Sequence, residues 1–399
     1  MLNLFRQIVA VMTTSIYTLR RRVGTSLVIV IGVAGVVAML AAVLAMGFAL
    51  TRSVGDTGRD DRAIVMRTGS SSESTSMLLR DEVQTILTGQ GIATDPASGK
   101  QLYSGELLAQ ANVTRRNLVG ATQVPAALRG VSPDVLAVRP EMKIVQGRMF
   151  ESGKYELIVG ETAARRFDGL EVGKTLKLRN TDWQIVGIFT IGGNTHESEL
   201  MADRDTLAGL LRWNHYNSLL VKLTSADALK TFETSLKANP GLNVDVMRES
   251  DYFGQQSKEI GKFIYIAAYL LGGIMAFGAI FAALNTMYAS IVVRAKEIAI
   301  LRAIGYGGEL IVFSVVVESL ILTLLGSVLG LALAWYFIDG KAFGTGYGGL
   351  QTQLIFDMQV TPQVAFAGIA VAVVIGLVGS FFPAMAAARV PVTAALREI

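Results

Sequence analysis

The sequence predicts a membrane protein with two parts: an all-α domain of four transmembrane helices, and an α+β domain inserted between spans 1 and 2. Hydrophobic residues make up 51% of the 399 residues and charged residues only 17%, whereas soluble domains carry about one quarter charged residues. The apolar residues are concentrated in four long runs, and a long polar segment separates the first run from the second. This distribution excludes an ordinary soluble globular protein.

Each of the four apolar runs is long enough to cross a bilayer, which takes about 20 helical residues. A cleaved signal peptide is the alternative for the first run, but that run is longer than the apolar part of such a peptide. The only charge within any run is Glu318, in the third. The predicted spans are 23–50, 263–293, 310–338 and 358–388.

The positions of lysine and arginine predict the orientation of the spans, because short cytoplasmic flanks are enriched in these residues. Beside the spans they are Arg6, Arg20, Arg21, Arg22, Arg294, Lys296, Arg302, Arg389 and Arg397, whereas the loop between spans 3 and 4 holds only Lys341. This surplus accounts for the net charge of +4, so no nucleic-acid partner is predicted. The predicted cytoplasmic segments are an amphipathic helix at 1–22, a helix at 294–309 and a tail at 389–399; the predicted outside segments are 51–262 and a loop at 339–357.

The polar segment 51–262 is predicted to fold as an α+β domain. Short strands bounded by glycines are typical of its middle part, 126–202, and two helices at 203–211 and 226–239 follow it. The predicted strands are 143–145, 156–159, 175–178, 183–189 and 217–223. The domain therefore contains a β-rich insertion.

The charged segment between spans 2 and 3 is predicted to be a short helix at the water boundary. Its residues are strong helix formers, and Gly305 stands where such a helix would end. Ile298, Leu301 and Ile304 recur at helical spacing and give the helix an apolar face. Spacing alone leaves two interpretations open, a connector that supplies topogenic charge and a docking helix for a cytoplasmic partner.

The third span contains a carboxylate and two closely spaced glycines. A carboxylate within a membrane costs a few kcal/mol unless it is neutralised or paired, so we expect Glu318 to face the bundle and hydrogen-bond to another span. A switch and a structural task both remain open for it. Gly326 and Gly330 have the small-xxx-small spacing that lets helix backbones approach closely, which predicts helix packing there.

Residue patterns for catalysis, metal binding and nucleotide binding are weak. The run Gly169–Thr175 resembles a phosphate-binding loop, but Asp168 occupies the place of its first glycine, so a turn between two strands is predicted. The chain contains no cysteine, and its two histidines are His196 and His215. His196 lies near Glu197 and Glu199, but one imidazole with loop carboxylates makes a poor metal site, and we predict a solvated loop. No catalytic residue, metal or cofactor is therefore assigned to this chain, and it is not predicted to be an enzyme.

Several motifs resemble the FtsX-like, or MacB-like, ABC-transporter permease family, the four-span type VII permease subunits. The charged helix and the third span match that family's pattern at Arg294, Lys296, Glu297, Ile298, Leu301, Arg302, Ala303, Ile304, Gly305, Glu318, Gly326 and Gly330. The segment Pro383–Arg397 is similar to the family's close. The outside segment is similar to a MacB-like periplasmic core domain at Leu128–Val131, Gly147–Arg148, Val159–Gly160, Val172–Lys174 and Val186–Ile188.

The resemblance implies a permease subunit that works by mechanotransmission in the bacterial inner membrane, with its large domain in the periplasm. The segment 294–309 would be a coupling helix that contacts a separate cytoplasmic ABC ATPase through Arg294, Lys296, Glu297 and Arg302. Two ATPase copies, which hold ATP and Mg, and a second permease copy or sister permease would complete the assembly. Related complexes often add a periplasmic adaptor and an outer-membrane channel.

Three functions remain open within this resemblance. They are export of an amphipathic compound, peptide or lipid-linked molecule, release of lipoproteins from the membrane, and regulation of a cell-wall hydrolase in division without transport. The β-rich insertion and its glycines favour export. The number of spans excludes the ten-span relatives that confer resistance to peptide antibiotics.

Overall fold

The structure, a computed structural model, describes residues 23–116, 123–339, 342–347 and 352–389. The predicted helix at 1–22 and most of the predicted tail at 389–399 lie outside the described residues. The described residues form two compact units. The helical unit takes its residues from 23–49, 261–339 and 357–389, and the α+β unit takes its residues from 50–260 and 342–356.

Ten α-helices are present among the described residues. In chain order they are α1 (Val23–Gly55), α2 (Arg80–Ile86), α3 (Val135–Val138), α4 (Glu161–Arg166), α5 (Arg204–Leu211), α6 (Ala228–Lys237), α7 (Glu249–Val293), α8 (Ala295–Ala303), α9 (Gly308–Ile338) and α10 (Pro362–Ala388). Within this part of the chain, α1, α7, α9 and α10 are long and apolar enough to cross a membrane. Helix α7 begins well before the apolar run at 263, because the polar residues ahead of that run continue the same helix.

The helical unit has an apolar core to which all four long helices contribute, for example through Val33, Met287, Leu322 and Ile375. Helices α9 and α10 approach closely at Gly376, where an added Cβ would lie 2.5 Å from Oγ1 of Thr323. The hydroxyls of Ser319 and Ser380 both donate to the Gly376 carbonyl, at 3.1 and 2.6 Å. These buried hydroxyls are therefore satisfied by backbone, as an apolar environment requires.

Fifteen strands are present among the described residues. In chain order they are β1 (Arg62–Arg67), β2 (Leu78–Leu79), β3 (Tyr103–Arg115), β4 (Gln123–Val131), β5 (Lys143–Gly147), β6 (Glu156–Gly160), β7 (Phe167–Asp168), β8 (Thr175–Leu178), β9 (Thr181–Thr190), β10 (Leu200–Asp203), β11 (His215–Tyr216), β12 (Ser218–Lys222), β13 (Val244–Arg248), β14 (Ala342–Tyr347) and β15 (Thr352–Asp357). The segment predicted as an external loop, 339–357, thus contains two strands that pair with each other.

One mixed sheet organises the α+β unit, in the order β13-β1-β12-β3-β4-β10-β6-β9-β5. Strand β3 joins its two halves, since residues 103–106 pair with β12 and residues 107–114 pair with β4. Strands β4 and β10 run parallel, as do β6 and β9, whereas the other neighbours along the path are antiparallel. The predicted α+β fold class is confirmed.

Each half of the sheet has its own apolar core. In the first half, α2 and α6 cover β1 and β12, burying residues such as Ile86, Leu219 and Phe232. In the second half, Trp183, Phe167 and Leu157 are fully buried among the strands. The second half corresponds to the β-rich insertion predicted from the sequence. Charged side chains such as Glu106 and Arg129 are buried at the junction of the two halves.

Candidate functional site

The helical structure of the charged segment between α7 and α9 is interrupted at two points. Arg294 separates α7 from α8, with φ −97° and ψ 1°. Gly305 follows α8 with φ +100°, a left-handed conformation that favours glycine and ends helices. Gly307 then caps the start of α9. The segment is thus a short helix held between two defined breaks.

Helix α8 has one buried and one exposed side. Ile298 and Ala299 are buried in the helical unit. Lys296 and Glu297 are exposed, Glu297 with 59% of its side chain accessible. The exposed side also includes Ile300 and Ile304, with accessibilities of 44% and 71%. The predicted apolar face is therefore wrong at its end, because Ile304 lies on the exposed side whereas Ile298 lies on the buried side.

Arg294 and Glu318 form a buried ion pair. Nη1 of Arg294 donates to Oε2 of Glu318 at 2.6 Å, and the two residues are only 9% and 8% exposed. The pairing neutralises a carboxylate that lipid would otherwise make costly. Nε of Arg294 also lies 3.9 Å from Glu297, a longer and weaker contact. Of the four predicted ATPase-contact residues, Arg294 is thus turned into the helical unit, Lys296 and Glu297 are exposed, and Arg302 is partly exposed.

Gly326 and Gly330 bring α9 against α1. A Cβ at Gly326 would lie 2.8 Å from the Val30 carbonyl oxygen, and one at Gly330 would lie 2.6 Å from that of Ala34. Real Cβ atoms do not approach backbone oxygens so closely, so both positions depend on the missing side chain.

The prediction that His196 lies in a solvated loop is wrong. Its side chain is fully buried in the 3-10 turn Thr195–Ser198. Nε2 lies 3.1 Å from Nη1 of Arg139, and Nδ1 lies 3.2 Å from Oε2 of Glu199. Because an arginine N–H can only donate, Nε2 accepts and the proton resides on Nδ1. In the described residues, no group of three or more His, Cys, Asp or Glu side chains could hold a metal ion.

Glu197 and His215 have roles that need no ligand. Glu197 accepts hydrogen bonds from the hydroxyl of Thr190 and from the backbone N–H groups of Ile191 and Gly193. Burial alone would raise the pKa of Glu197, but these hydrogen bonds lower it. The ring of His215 stacks on Trp213 at 5.2 Å, and burial lowers its pKa. The run Gly169–Thr175 joins β7 to β8, as the predicted turn required.

Sequence reasoning missed a second charged site, in the α+β unit. We call it the ionic cluster; its members are Arg62, Glu73, Glu106, Arg129, Arg139, His196, Glu199 and Glu249, all buried. A carboxylate or guanidinium is seldom buried without a partner. The available signal was Arg129, a charge within the apolar strand segment Leu128–Val131.

Arg129 lies at the centre of the ionic cluster. Its Nε and Nη2 bind both oxygens of Glu199 at 2.7 and 3.1 Å. Its Nη1 donates to Glu106 at 2.6 Å and to Glu73 at 3.1 Å. Burial alone would raise the pKa of Glu106, but the charges of Arg139 and Arg129 outweigh it and hold that pKa below its ordinary value of 4.5. Burial would likewise raise the pKa of Glu199, and the charge of Arg129 likewise lowers it.

Two family models match the chain. Residues 23–239 match the MacB-like periplasmic core domain, and residues 269–392 match the FtsX-like permease C-terminal domain. The first match covers more than half of the chain. The fold and the order of the two matched domains define a membrane permease of the ABC-transporter type. The chain belongs to the MacB-like, FtsX-like permease family.

Curated relatives are distant in sequence. An uncharacterised ABC transporter permease of Methanocaldococcus jannaschii is 25% identical over 278 residues, covering 67% of each chain. Macrolide export ATP-binding/permease proteins MacB from Chromobacterium violaceum and Bdellovibrio bacteriovorus are 22% and 23% identical, over 80% and 92% of this chain. This chain spans only 50% and 58% of those MacB proteins.

A solved structure of the periplasmic region of MacB from Actinobacillus actinomycetemcomitans is also similar. It is 17% identical, covers 52% of this chain and 95% of its own, and has a TM-score of 0.38.

Proposed function

We propose that the chain is the permease subunit of an ABC transporter that works by mechanotransmission, exporting an amphipathic compound, peptide or lipid-linked molecule. A separate cytoplasmic ATPase, present in two copies, holds ATP and Mg and hydrolyses the ATP. A second permease copy or a sister permease completes the membrane part, and a periplasmic adaptor and outer-membrane channel extend it. The chain lies in the bacterial inner membrane with both termini in the cytoplasm and the α+β unit in the periplasm, and it holds no cofactor itself.

The single observation that supports this proposal best is the length of α7. Its 45 residues form one continuous helix, about 68 Å long at about 1.5 Å per residue. The hydrocarbon core of a bilayer is only about 30 Å thick. Helix α7 therefore continues from the membrane into the α+β unit without a break, and a displacement at one end can be passed along it.

The helical unit also has the features of a packed bundle. The buried hydroxyls of Ser319, Thr323, Ser327 and Ser380 donate to backbone carbonyls. Glycine contacts bring α9 against both α1 and α10. Such packing supports a mechanism in which the helices transmit movement and the substrate does not pass between them.

Helix α8 offers the ATPase a docking face. Its exposed side combines the charges of Lys296 and Glu297 with the apolar side chains of Ile300 and Ile304. Apolar anchors beside charges that set register are typical of specific protein interfaces. Arg294 has a different task in this proposal, since its bond to Glu318 fixes the start of α8 to α9.

The test is copurification and coupled ATP hydrolysis. The tagged chain is purified from its native membranes, the ABC ATPase that accompanies it is identified by mass spectrometry, and both are reconstituted in lipid nanodiscs. We expect the permease to stimulate the ATPase, and Glu297→Lys combined with Ile304→Glu to abolish copurification and stimulation while leaving the permease folded. The control is Glu233→Lys on α6 of the α+β unit, the same charge reversal at a side chain that is 37% accessible and pairs with Lys237.

Two results would contradict the proposal. If no ABC ATPase accompanies the wild-type chain, it is not the permease of such a transporter. If the α8 variant binds and stimulates the ATPase as the wild type does, α8 is a connector and docking occurs elsewhere.

A further inference from the structure

The ionic cluster connects the parts of the α+β unit in which α1 ends and α7 begins. Glu249 is the first residue of α7 and is fully buried. Its Oε2 accepts from the backbone N–H of Arg59 at 3.0 Å and from Nε of Arg62 at 2.6 Å. Arg59 lies in the short segment between α1 and β1, and Arg62 is the first residue of β1. One carboxylate therefore joins the start of α7 to the chain that leaves α1.

The backbones meet at the same point. Gly58 has φ +94°, and a Cβ there would lie 2.7 Å from the Glu249 carbonyl oxygen. The segment after α1 can approach the start of α7 this closely only because Gly58 has no side chain. The contact is thus built into the backbone as well as into the ion pairs.

The end of α1 is also bonded to the 3-10 turn that carries His196. Oγ1 of Thr57 lies 2.8 Å from Oγ1 of Thr195 and 2.8 Å from the Ser53 carbonyl oxygen, to which it donates. The backbone N–H of Thr195 donates to Oγ1 of Thr57 at 3.2 Å. Both threonines are buried. The hydroxyl of Thr57 therefore fixes the end of α1 to the turn.

From that turn the cluster continues into the β-rich half. Arg139 binds Glu249 at 2.8 Å and Glu106 on β3 at 3.3 Å, and its Nη1 also contacts His196. Glu199, at the end of the turn, holds Arg129 of β4. The first turn of α7 closes the other side, where Phe253 packs edge-on against His196 with ring centroids 5.7 Å apart.

We propose that the ionic cluster makes the end of α1, the start of α7 and strands β3 and β4 one rigid block. Each arginine of the cluster binds at least two carboxylates, so the elements are joined through shared contacts and not through separate pairs. Displacements of α1 and α7 would then reach both halves of the sheet together. The rigid block is a property of this chain alone; its use in transport rests on the proposed function. Glu249, Arg139, His196 and Thr195 are positioning residues in this scheme.

The first experiment measures whether the block is cooperative and needs no ATPase. Amide hydrogen exchange is followed in the full chain in nanodiscs for wild type, Glu249→Gln and the matched control Glu259→Gln, which is exposed on the same helix. We expect Glu249→Gln to speed exchange about tenfold or more at 59–62, at 129–139 and at 195–199 together, because cooperative units open as a whole. Glu259→Gln should change none of these segments. Faster exchange confined to 59–62 would overturn the rigid block.

The second experiment adds a covalent bond instead of removing one. The chain has no cysteine, so Thr57→Cys with Thr195→Cys can form one defined disulfide under mild oxidation, with Thr57→Cys alone as the control. We expect the disulfide to form fully and to leave permease-stimulated ATP hydrolysis and export within about twofold of the reduced state, since a rigid joint loses no motion. Failure of the disulfide to form would contradict the close contact. Reversible loss of stimulation on oxidation would show that the joint moves.

The two experiments distinguish failure of the rigid block from failure of the proposed function. If the wild-type complex shows no coupled ATP hydrolysis, the proposed function fails while the exchange data still decide the rigid block. If coupling is normal and exchange in the Glu249→Gln variant is local, the rigid block fails while the proposed function stands.

Discussion

The helical unit and the α+β unit both bury acidic and basic side chains, but they connect them differently. In the helical unit, Arg294 contacts Glu318 at 2.6 Å and lies 3.9 Å from Glu297. In the α+β unit, Arg129 alone contacts three buried carboxylates. Removing Glu318 takes a carboxylate from one buried arginine, whereas removing Arg129 takes a shared donor from three buried carboxylates.

The comparison indicates different tasks for the two sites. The contact between Arg294 and Glu318 joins only two elements, the start of α8 and α9. A network with shared partners resists any single displacement, because each carboxylate retains another donor. We therefore expect substitutions in the ionic cluster to affect stability most, and substitutions at the pair to affect coupling as well as stability.

The largest effect is expected for Arg129→Met. Three buried carboxylates would lose their common donor, and breaking a buried ion pair costs about 3–5 kcal/mol. We expect the α+β unit to unfold at much lower denaturant in the full chain, measured by pulse proteolysis in nanodiscs. Arg116→Met is the control, because Arg116 makes comparable contacts with Asp168 and Glu171 at the surface and should cost less than about 1 kcal/mol. Similar losses for the two variants would show that the cluster contributes little.

Acid should destabilise the α+β unit through the same cluster. The pKa values of Glu106 and Glu199 are lowered in the folded protein from the ordinary value of 4.5, so the unfolded chain binds protons first as the pH falls. The stability that these groups supply is therefore complete above about pH 4.5 and is lost as the pH falls through the lowered values, at about 1.4 kcal/mol per pKa unit for each group. Unfolding midpoints between about pH 7 and pH 3 measure the loss. Arg129→Met should flatten this pH dependence, and an unchanged slope in that variant would contradict the assignment.

The two units also differ in how much of them could be predicted from the sequence. A membrane span is a long apolar run, so all four long helices were predicted, and the polar extension of α7 was missed. Helix α7 begins at Glu249 rather than at the apolar run, because hydropathy marks the lipid-facing part of a helix and not its polar continuation.

The α+β unit could be predicted only in part. Strands β5, β6, β8 and β9 lie where glycines and alternation predicted them. Strand β1 was missed because five of its six residues are buried, which removes the alternation of a half-buried strand. Strand β3 was missed because it includes polar side chains such as Glu106, which is buried only because arginines from distant segments surround it.

His196 and the ionic cluster depended on contacts that no local pattern encodes. A histidine after two glycines and an asparagine is typical of a surface loop, yet Phe253 and Arg139 cover it. Arg294 was assigned to the surface because its neighbours are charged, although it alone of the four turns inward. Both cases show that the residue type can be read locally, whereas the burial of a side chain depends on its tertiary partners.

A smaller loss is expected when the Arg294–Glu318 pair is broken. Glu318→Leu leaves Arg294 buried without its carboxylate and should cost about 3 kcal/mol. Glu318→Gln keeps an acceptor and should cost about 1–2 kcal/mol. The exchange of both charges, Arg294→Glu with Glu318→Arg, should restore part of the stability. Thermal midpoints and monodisperse yield in detergent measure these effects, and full stability of the Leu variant would show that the pair contributes nothing.

The pair also allows folding and coupling to be separated. If the bond between α8 and α9 transmits movement, Glu318→Gln should fold, bind the ATPase and stimulate its activity less. If the bond is only structural, stimulation should follow the folded yield.

The smallest effect is expected at the glycine contact between α9 and α1, which contains no charge. In Gly330→Ala the new Cβ would meet the Ala34 carbonyl oxygen at 2.6 Å and Cβ of Val37 at 3.0 Å, so the helices must separate slightly or tilt. Overpacking of this kind costs about 1–3 kcal/mol. Gly278→Ala on α7 is the control, since a Cβ there meets nothing within 4 Å, and it should stay within about 0.5 kcal/mol of wild type. Thermal midpoints of the two variants in nanodiscs measure the cost of the added Cβ at each position. Equal midpoints would mean that α1 relaxes away from α9 at little cost, and the close approach at Gly330 would then be a tolerated contact that the bundle does not depend on.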